Sequence, residues 1–203
     1  MCARHFLVST VLVFLVISQV SATVVTFDDL SETASGSFLA GSYQGLNWTA
    51  VRPQNGVLNP SLYPFVTNGA YYGVVSLSNV AAVFAGGEID STSTNFNFLS
   101  TYLTGYWNSN LNIQVQGFRA GNLIYEETVV AAATQSTLFA FNYLNIDRIT
   151  FNPSGGQPAF GTLPDSIFVM DNFTFEFVPE PSTLVLAALG ALTLRPFLKR
   201  KRA

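Results

Sequence analysis

Cysteine, histidine and lysine are nearly missing from this chain. Cys2 and His5 are the only residues of their kinds, and both lysines, Lys199 and Lys201, sit among the last five residues. Arg4 and His5 precede an apolar run from Phe6 to Ile17, and Val20-Ser21-Ala22 suits the −3 to −1 positions of a cleavage site. That pattern reads as a secretory signal peptide over residues 1–22, cut after Ala22. Cys2 lies before the apolar segment and so is no lipobox cysteine. With the signal peptide gone, residues 23–177 hold no cysteine, histidine or lysine. Disulfides, thiol nucleophiles, imidazole bases, Cys- or His-ligated zinc, a Ser-His-Asp triad and a lysine Schiff base are all excluded. Only carboxylates, tyrosines and Arg52, Arg119 and Arg148 remain for catalysis, which argues against most enzymes.

Positive charge is scarce too. Residues 23–177 carry eleven acids against three arginines, a net charge near −8 that the tail hides in the chain's overall −3. An acidic surface without basic patches speaks against nucleic acid and phosphate ligands. It suits neutral glycans, calcium or plain solubility. Aromatic rings are plentiful, with 15 Phe, 8 Tyr and 2 Trp in the same span, ample apolar area for the core of one domain of this length.

Hydrophobic periodicity points to an all-β fold. Leu111 to Gln116 alternates apolar and polar residues, Arg119-Ala-Gly-Asn122 supplies a turn, and Leu123 to Val130 returns as the hairpin partner. Near the end, Ile167, Val169, Phe173, Phe175 and Phe177 share one parity, an aromatic inner face. Further strands are expected at Val24–Phe27, Tyr72–Leu77, Asn95–Leu103, Leu138–Phe141 and Asp147–Phe151, with loops over Arg52–Pro64 and Asn152–Pro164. No long helical period and no internal repeat occur in 23–177. Many short strands with turn signals predict a single β-sandwich of jelly-roll type over residues 23–177, flanked by the signal peptide and a C-terminal membrane helix.

The tail, residues 178–203, has three dissimilar blocks in fixed order. Val178-Pro179-Glu180-Pro181-Ser182 forms a turn, Leu184 to Leu194 is apolar, and Arg195-Pro196 leads to the cations Lys199, Arg200, Lys201 and Arg202. Eleven helical residues reach about 16 Å, short of a hydrocarbon core of roughly 30 Å. Extension to Leu198 gives about 22 Å if Arg195 snorkels to the headgroups. The terminal cations would stay on the cytoplasmic side.

This arrangement resembles the PEP-CTERM sorting signal of exopolysaccharide-producing bacteria. The region is also labelled an ice-binding-protein C-terminal domain in some family naming, which is no evidence of ice binding. The resemblance implies an exosortase as processing partner, a membrane tether through the C-terminal helix, and delivery to the cell surface or extracellular matrix. Arg195-Pro196, which interrupts the apolar run, departs from the pattern. The spread of Phe27-Asp-Asp-Leu30, Tyr43 to Trp48, Tyr102 to Trp107 and Phe168 to Thr174 is similar to secreted β-sandwich domains and, more loosely, to carbohydrate-binding jelly rolls. That likeness carries no known catalytic set.

Asp171 shares parity with Val169 and Phe173, so its carboxylate is expected on the inward face, where an unpaired charge is costly. In jelly-roll binding modules, acids of the first and last strands often share a structural calcium, and Asp28 and Asp29 match that arrangement with Asp171. The alternatives are a pairing of Asp171 with Arg148, a turn cap, or a catalytic carboxylate. Trp48 and Trp107 could stack on sugars or fill the core. The expected function is non-catalytic, either binding extracellular polysaccharide or building a matrix; the alternative is a carboxylate-dependent glycan-active enzyme.

Overall fold

A computed structural model describes residues 21–30, 38–39, 41–57, 68–160 and 166–179. The signal-peptide segment up to residue 20 and the tail from Glu180 onward, with its expected membrane helix, lie outside the described residues. Among the described residues no helix is long and apolar enough to cross a membrane.

The elements are β1 (Thr23–Val25), β2 (Ser42–Tyr43), β3 (Leu46–Asn55), α1 (Gly69–Gly73), β4 (Asn79–Asp90), β5 (Phe96–Gly105), β6 (Asn108–Arg119), β7 (Asn122–Ala131), β8 (Thr137–Ile146), β9 (Arg148–Pro158) and β10 (Phe168–Phe177). All pairings are antiparallel, in the order β7-β6-β9-β4-β10-β5-β8, with β1 beside β10 and β3 between β2 and β4. The β6–β7 hairpin closes with Arg119 opposite Asn122. Ala120 and Gly121 at its tip have φ of 49° and 80°, the left-handed pair that a two-residue turn needs to match strand twist.

Two long strands fold this continuous ladder into a sandwich. The first half of β4 pairs with β10 (Ala81 opposite Met170), and its second half pairs with β9 (Ile89 opposite Ile149). Gly86 (φ 76°) in β4 and the bulge at Ala50 (φ 56°) in β3 make the corner. One layer is therefore β8-β5-β10 with the near halves of β4 and β3, and the other is β7-β6-β9 with the far halves. Between them lies an aromatic core in which Phe98 stacks on Phe173 at 4.8 Å and on Phe141 at 4.9 Å. The Tyr143 hydroxyl crosses from β8 to donate to the Val115 carbonyl at 3.1 Å, so this buried polar tip is satisfied.

Four expectations need correction. Tyr72–Leu77 is no strand: Asn68 accepts from the Ala70 amide at 3.0 Å and caps a short helix, α1. The loops expected over Arg52–Pro64 and Asn152–Pro164 are in part strand, through Asn55 in β3 and Pro158 in β9. Pro153 and Pro158 are tolerated because β9 beyond Phe151 pairs only with β6, leaving their other edge without a ladder to break. The uniform parity assigned to β10 fails as well. Asn172 (φ 50°) is a bulge, with the β5 register shifting between Asp171 and Thr174. Phe168, Met170, Phe173 and Phe175 face the core, while Ile167 and Val169 join a small outer cluster with Ala70, Val80, Ala82 and Tyr106. Asp171 goes with the outer set, since an extra residue reverses every side chain beyond it.

Candidate functional site

The outer face of the β3–β4–β10–β5 layer gathers most of the chemistry, and α1 sits on it. Register places Arg52, Ala82, Val169 and Thr104 in one row across four strands. Gly73 of α1 lies against Val169 and Thr104, and a Cβ at Gly69 would collide with the Gly105 carbonyl oxygen. Glycine at Gly69 is what lets the helix seat so closely.

Asp171 lies beneath this cover, fully buried. Its carboxylate accepts from the Val75 amide at 2.7 Å, the Ser76 amide at 2.8 Å, the Ser76 hydroxyl at 3.0 Å and the Asn172 amide at 2.7 Å. Burial pushes its pKa up against the pull of those donors. Asp28 holds the next stretch of the same segment, accepting from the amides of Leu77 (3.2 Å), Ser78 (3.0 Å) and Asn79 (2.9 Å). Two acids from opposite ends of the fold thus pin residues 75–79, the lead-in to β4. Asp29 takes a different partner, the Tyr43 hydroxyl, and burial together with that bond pushes the phenol pKa up.

Asp28 and Asp171 therefore meet over one segment and Asp29 does not join them. The oxygens that a calcium ion would use are already met by N–H and O–H donors, and the described residues hold no group of three or more His, Cys, Asp or Glu side chains placed for a metal. Arg148 is not the partner of Asp171: it pairs with Glu88 at 3.3 Å and lies over the Phe118 ring. A fully buried carboxylate held by four donors has no approach for a substrate, so the geometry gives Asp171 a turn-holding role.

Asp28 provides a pH signature. Burial alone would raise its pKa, but the amide bonds from Ser78, Asn79 and Leu77 outweigh it, and the pKa falls from 3.8 to about 2. A depressed folded-state pKa gives stability that is present above the unfolded value and lost as pH falls through the folded one. Stability is expected to decline between about pH 4 and pH 2, and Asp28→Asn should flatten that part of the profile in urea melts taken across this range.

Beside α1 the surface is aromatic. Tyr71 is 47% exposed, Tyr72 stands edge-on to it at 5.3 Å, and Phe160 lies parallel to Tyr72 at 5.8 Å and 8°. Trp107 is half-buried against Tyr106, and its carbonyl accepts from the Ala159 and Phe160 amides, which ties the end of β9 to this group. Trp48, the other tryptophan, is core. Its indole N–H donates to the Tyr43 carbonyl at 2.9 Å, and its ring packs edge-on to Phe27 and Phe173. The sequence reading missed Tyr71, Tyr72 and Phe160. The signal available was Asn68-Gly69 as a helix start just ahead of adjacent tyrosines.

At the other end of the row, Arg52 lies over two adjacent rings, 4.8 Å from the Phe38 centroid and 5.3 Å from that of Phe84. Of the sorting-motif residues, Val178 and Pro179 are described. The Val178 amide donates to the Asn95 carbonyl at 2.8 Å, and Pro179 is exposed, so the motif leaves the sandwich where β10 ends. Glu180, Pro181, Ser182, Leu184, Leu194, Arg195 and the cations from Lys199 to Arg202 lie outside the described residues.

In fold the chain is similar to the K1 cleaved adhesin domain of Lys-gingipain from Porphyromonas gingivalis W83, at 9% identity over 79% of this chain and 99% of that one, with a TM-score of 0.41. It is similar to a family 29 carbohydrate-binding module at 11% identity, over 81% of this chain and 99% of that one, with a TM-score of 0.39. A third likeness is to a Clostridium perfringens ZmpB structure of an M60 catalytic domain with two CBM51 domains, at 14% identity, 77% of this chain, 15% of that one and a TM-score of 0.38. These likenesses are distant and say nothing of what this chain binds. No curated protein matches the chain. Residues 177–202 match the PEP-CTERM protein-sorting motif, so this β-sandwich bears at its C-terminus the signal that implies export and handling by an exosortase.

Proposed function

We propose that the protein is a surface or matrix component whose sandwich binds extracellular polysaccharide without turning it over, held at the membrane by its C-terminal helix until an exosortase removes the tail. The observation that carries the glycan reading is the ring group beside α1, with Tyr71 exposed and Tyr72 and Phe160 half-buried next to it. Exposed aromatic rings offer flat apolar area to sugar faces while their polar tips stay wet. The non-catalytic part rests on the exported residues' lack of His, Cys and Lys and on the burial of Asp171.

The test is retention of the purified full chain on a panel of neutral and uronic-acid polysaccharides, with reducing ends assayed in parallel. Retention without new reducing ends is the expected result. Loss of polymer length that stops when one acid is replaced would install a carboxylate-dependent enzyme instead. Failure to bind any polymer on the panel would leave a purely structural role.

A further inference from the structure

We infer that Arg52 is a carboxylate-binding site, and that the polysaccharide recognised by this face carries uronic acids. The inference rests on the glycan reading above and narrows it to a ligand class. Three observations support it.

The guanidinium is held but not used. Phe38 and Phe84 lie 5.5 Å apart and edge-on to one another, with Arg52 over both. Two rings beside one cation fix the plane of its fork through cation–π attraction. Among the described residues Arg52 has neither an ion pair nor a hydrogen bond, and its buried Nε has no acceptor. Arginine in a folded protein ordinarily spends its five donors on carboxylates or carbonyls. Among the described residues no carboxylate pairs with it: Glu88 goes to Arg148, and Asp28 and Asp171 to the 75–79 segment.

Gln54 stands beside it, two residues along β3, on the same pleat face, with register to Val80 as Arg52 has to Ala82. It is 5% exposed, and its amide nitrogen has no partner among the described residues. That nitrogen is closed to solvent and so to a polymer, and Gln54 makes no bond to Arg52, which leaves the guanidinium as the donor on this face.

Position completes the case. Arg52 and Val169 are two strands apart, about 10 Å at strand spacing, and Val169 lies directly under α1. Phe84 and Trp107 pack against the same outer cluster. One polymer could therefore stack on the tyrosines of α1 and present a carboxylate to Arg52. The domain's net negative charge does not forbid this, because repulsion is screened within about 8 Å at physiological salt, whereas a bidentate pair acts at contact.

The experiment measures affinity of the full chain for polygalacturonate and for a neutral polymer from the same panel, in wild type, Arg52→Gln and Arg52→Lys, with melting temperature as a control. Arg52→Gln should weaken polygalacturonate binding about tenfold and leave the neutral polymer unchanged. Arg52→Lys should fall between, since lysine keeps the charge but not the fork. Should Arg52→Gln fail to fold, free galacturonate must displace polygalacturonate from the wild type and free galactose at the same concentration must not. Equal affinity of Arg52→Gln for polygalacturonate, or wild-type binding confined to neutral polymers, overturns the assignment of Arg52 and leaves the glycan reading standing. No binding to either polymer removes both.

Discussion

Asp171→Ala is expected to lower the melting temperature by about 10 °C. The carboxylate is fully buried and accepts from three backbone amides and the Ser76 hydroxyl at 2.7–3.0 Å. Alanine deletes the acceptor and leaves the donors, and each unmet buried donor costs about 1–3 kcal/mol. Val75 and Leu77 are exposed, so part of the segment can turn to water and the total settles near 3 kcal/mol. For a domain of this size, 1 kcal/mol moves the melting temperature by roughly 2–4 °C. Asp171→Asn keeps one acceptor oxygen and should lose about half as much. Because the oxygens are met by protein donors, EDTA should leave the wild-type melt in place. A melting temperature at or above wild type for alanine would mean that burying this charge costs as much as its bonds return. Losing the clamp also frees the lead-in to β4, which pairs with both layers, so the urea transition should broaden as well as shift.

How much of this was legible depended on how each strand is buried. The β6–β7 hairpin was plain because β6 hides one face only: Leu111, Ile113 and Val115 are buried while Asn112 is exposed and Gln114 half-buried. The first half of β4 carries no such alternation. β4 runs buried at five consecutive positions from Asn79 to Val83, between strands on both sides and under α1, and a strand covered on both faces has no period to read. The β10 parity misled for a different reason. Asn172 holds a left-handed backbone that no pattern of apolar residues announces, and one bulge sends Asp171 to the opposite face from Phe173. Composition argues against most enzyme classes, and the tail points to export. The candidate site was the least legible part. Arg52 meets Phe38 and Phe84 from distant points in the chain, and Tyr71 and Tyr72 mean something only once α1 is seated on Val169 and Thr104.

Tyr72→Ala should weaken polysaccharide binding about thirtyfold while leaving the fold intact. Its ring is the middle member of the group, with Tyr71 edge-on at 5.3 Å and Phe160 parallel at 5.8 Å. Truncating it removes one stacking surface and the support of two others. A central aromatic anchor of this kind is worth about 2 kcal/mol in binding, and each 1.4 kcal/mol is about tenfold in affinity. Stability should move little, because Tyr72 belongs to neither buried cluster. Tyr72→Phe separates the two ways a tyrosine can serve: it preserves the stacking face, so binding should survive unless the hydroxyl carries it. Trp48→Ala gives the converse. That ring fills the core between Phe27 and Phe173, and its loss should cost about 3–5 kcal/mol of stability. Undiminished binding by a folded Tyr72→Ala protein would move the glycan surface away from α1, and with it the reason for Arg52 to face a polymer at all.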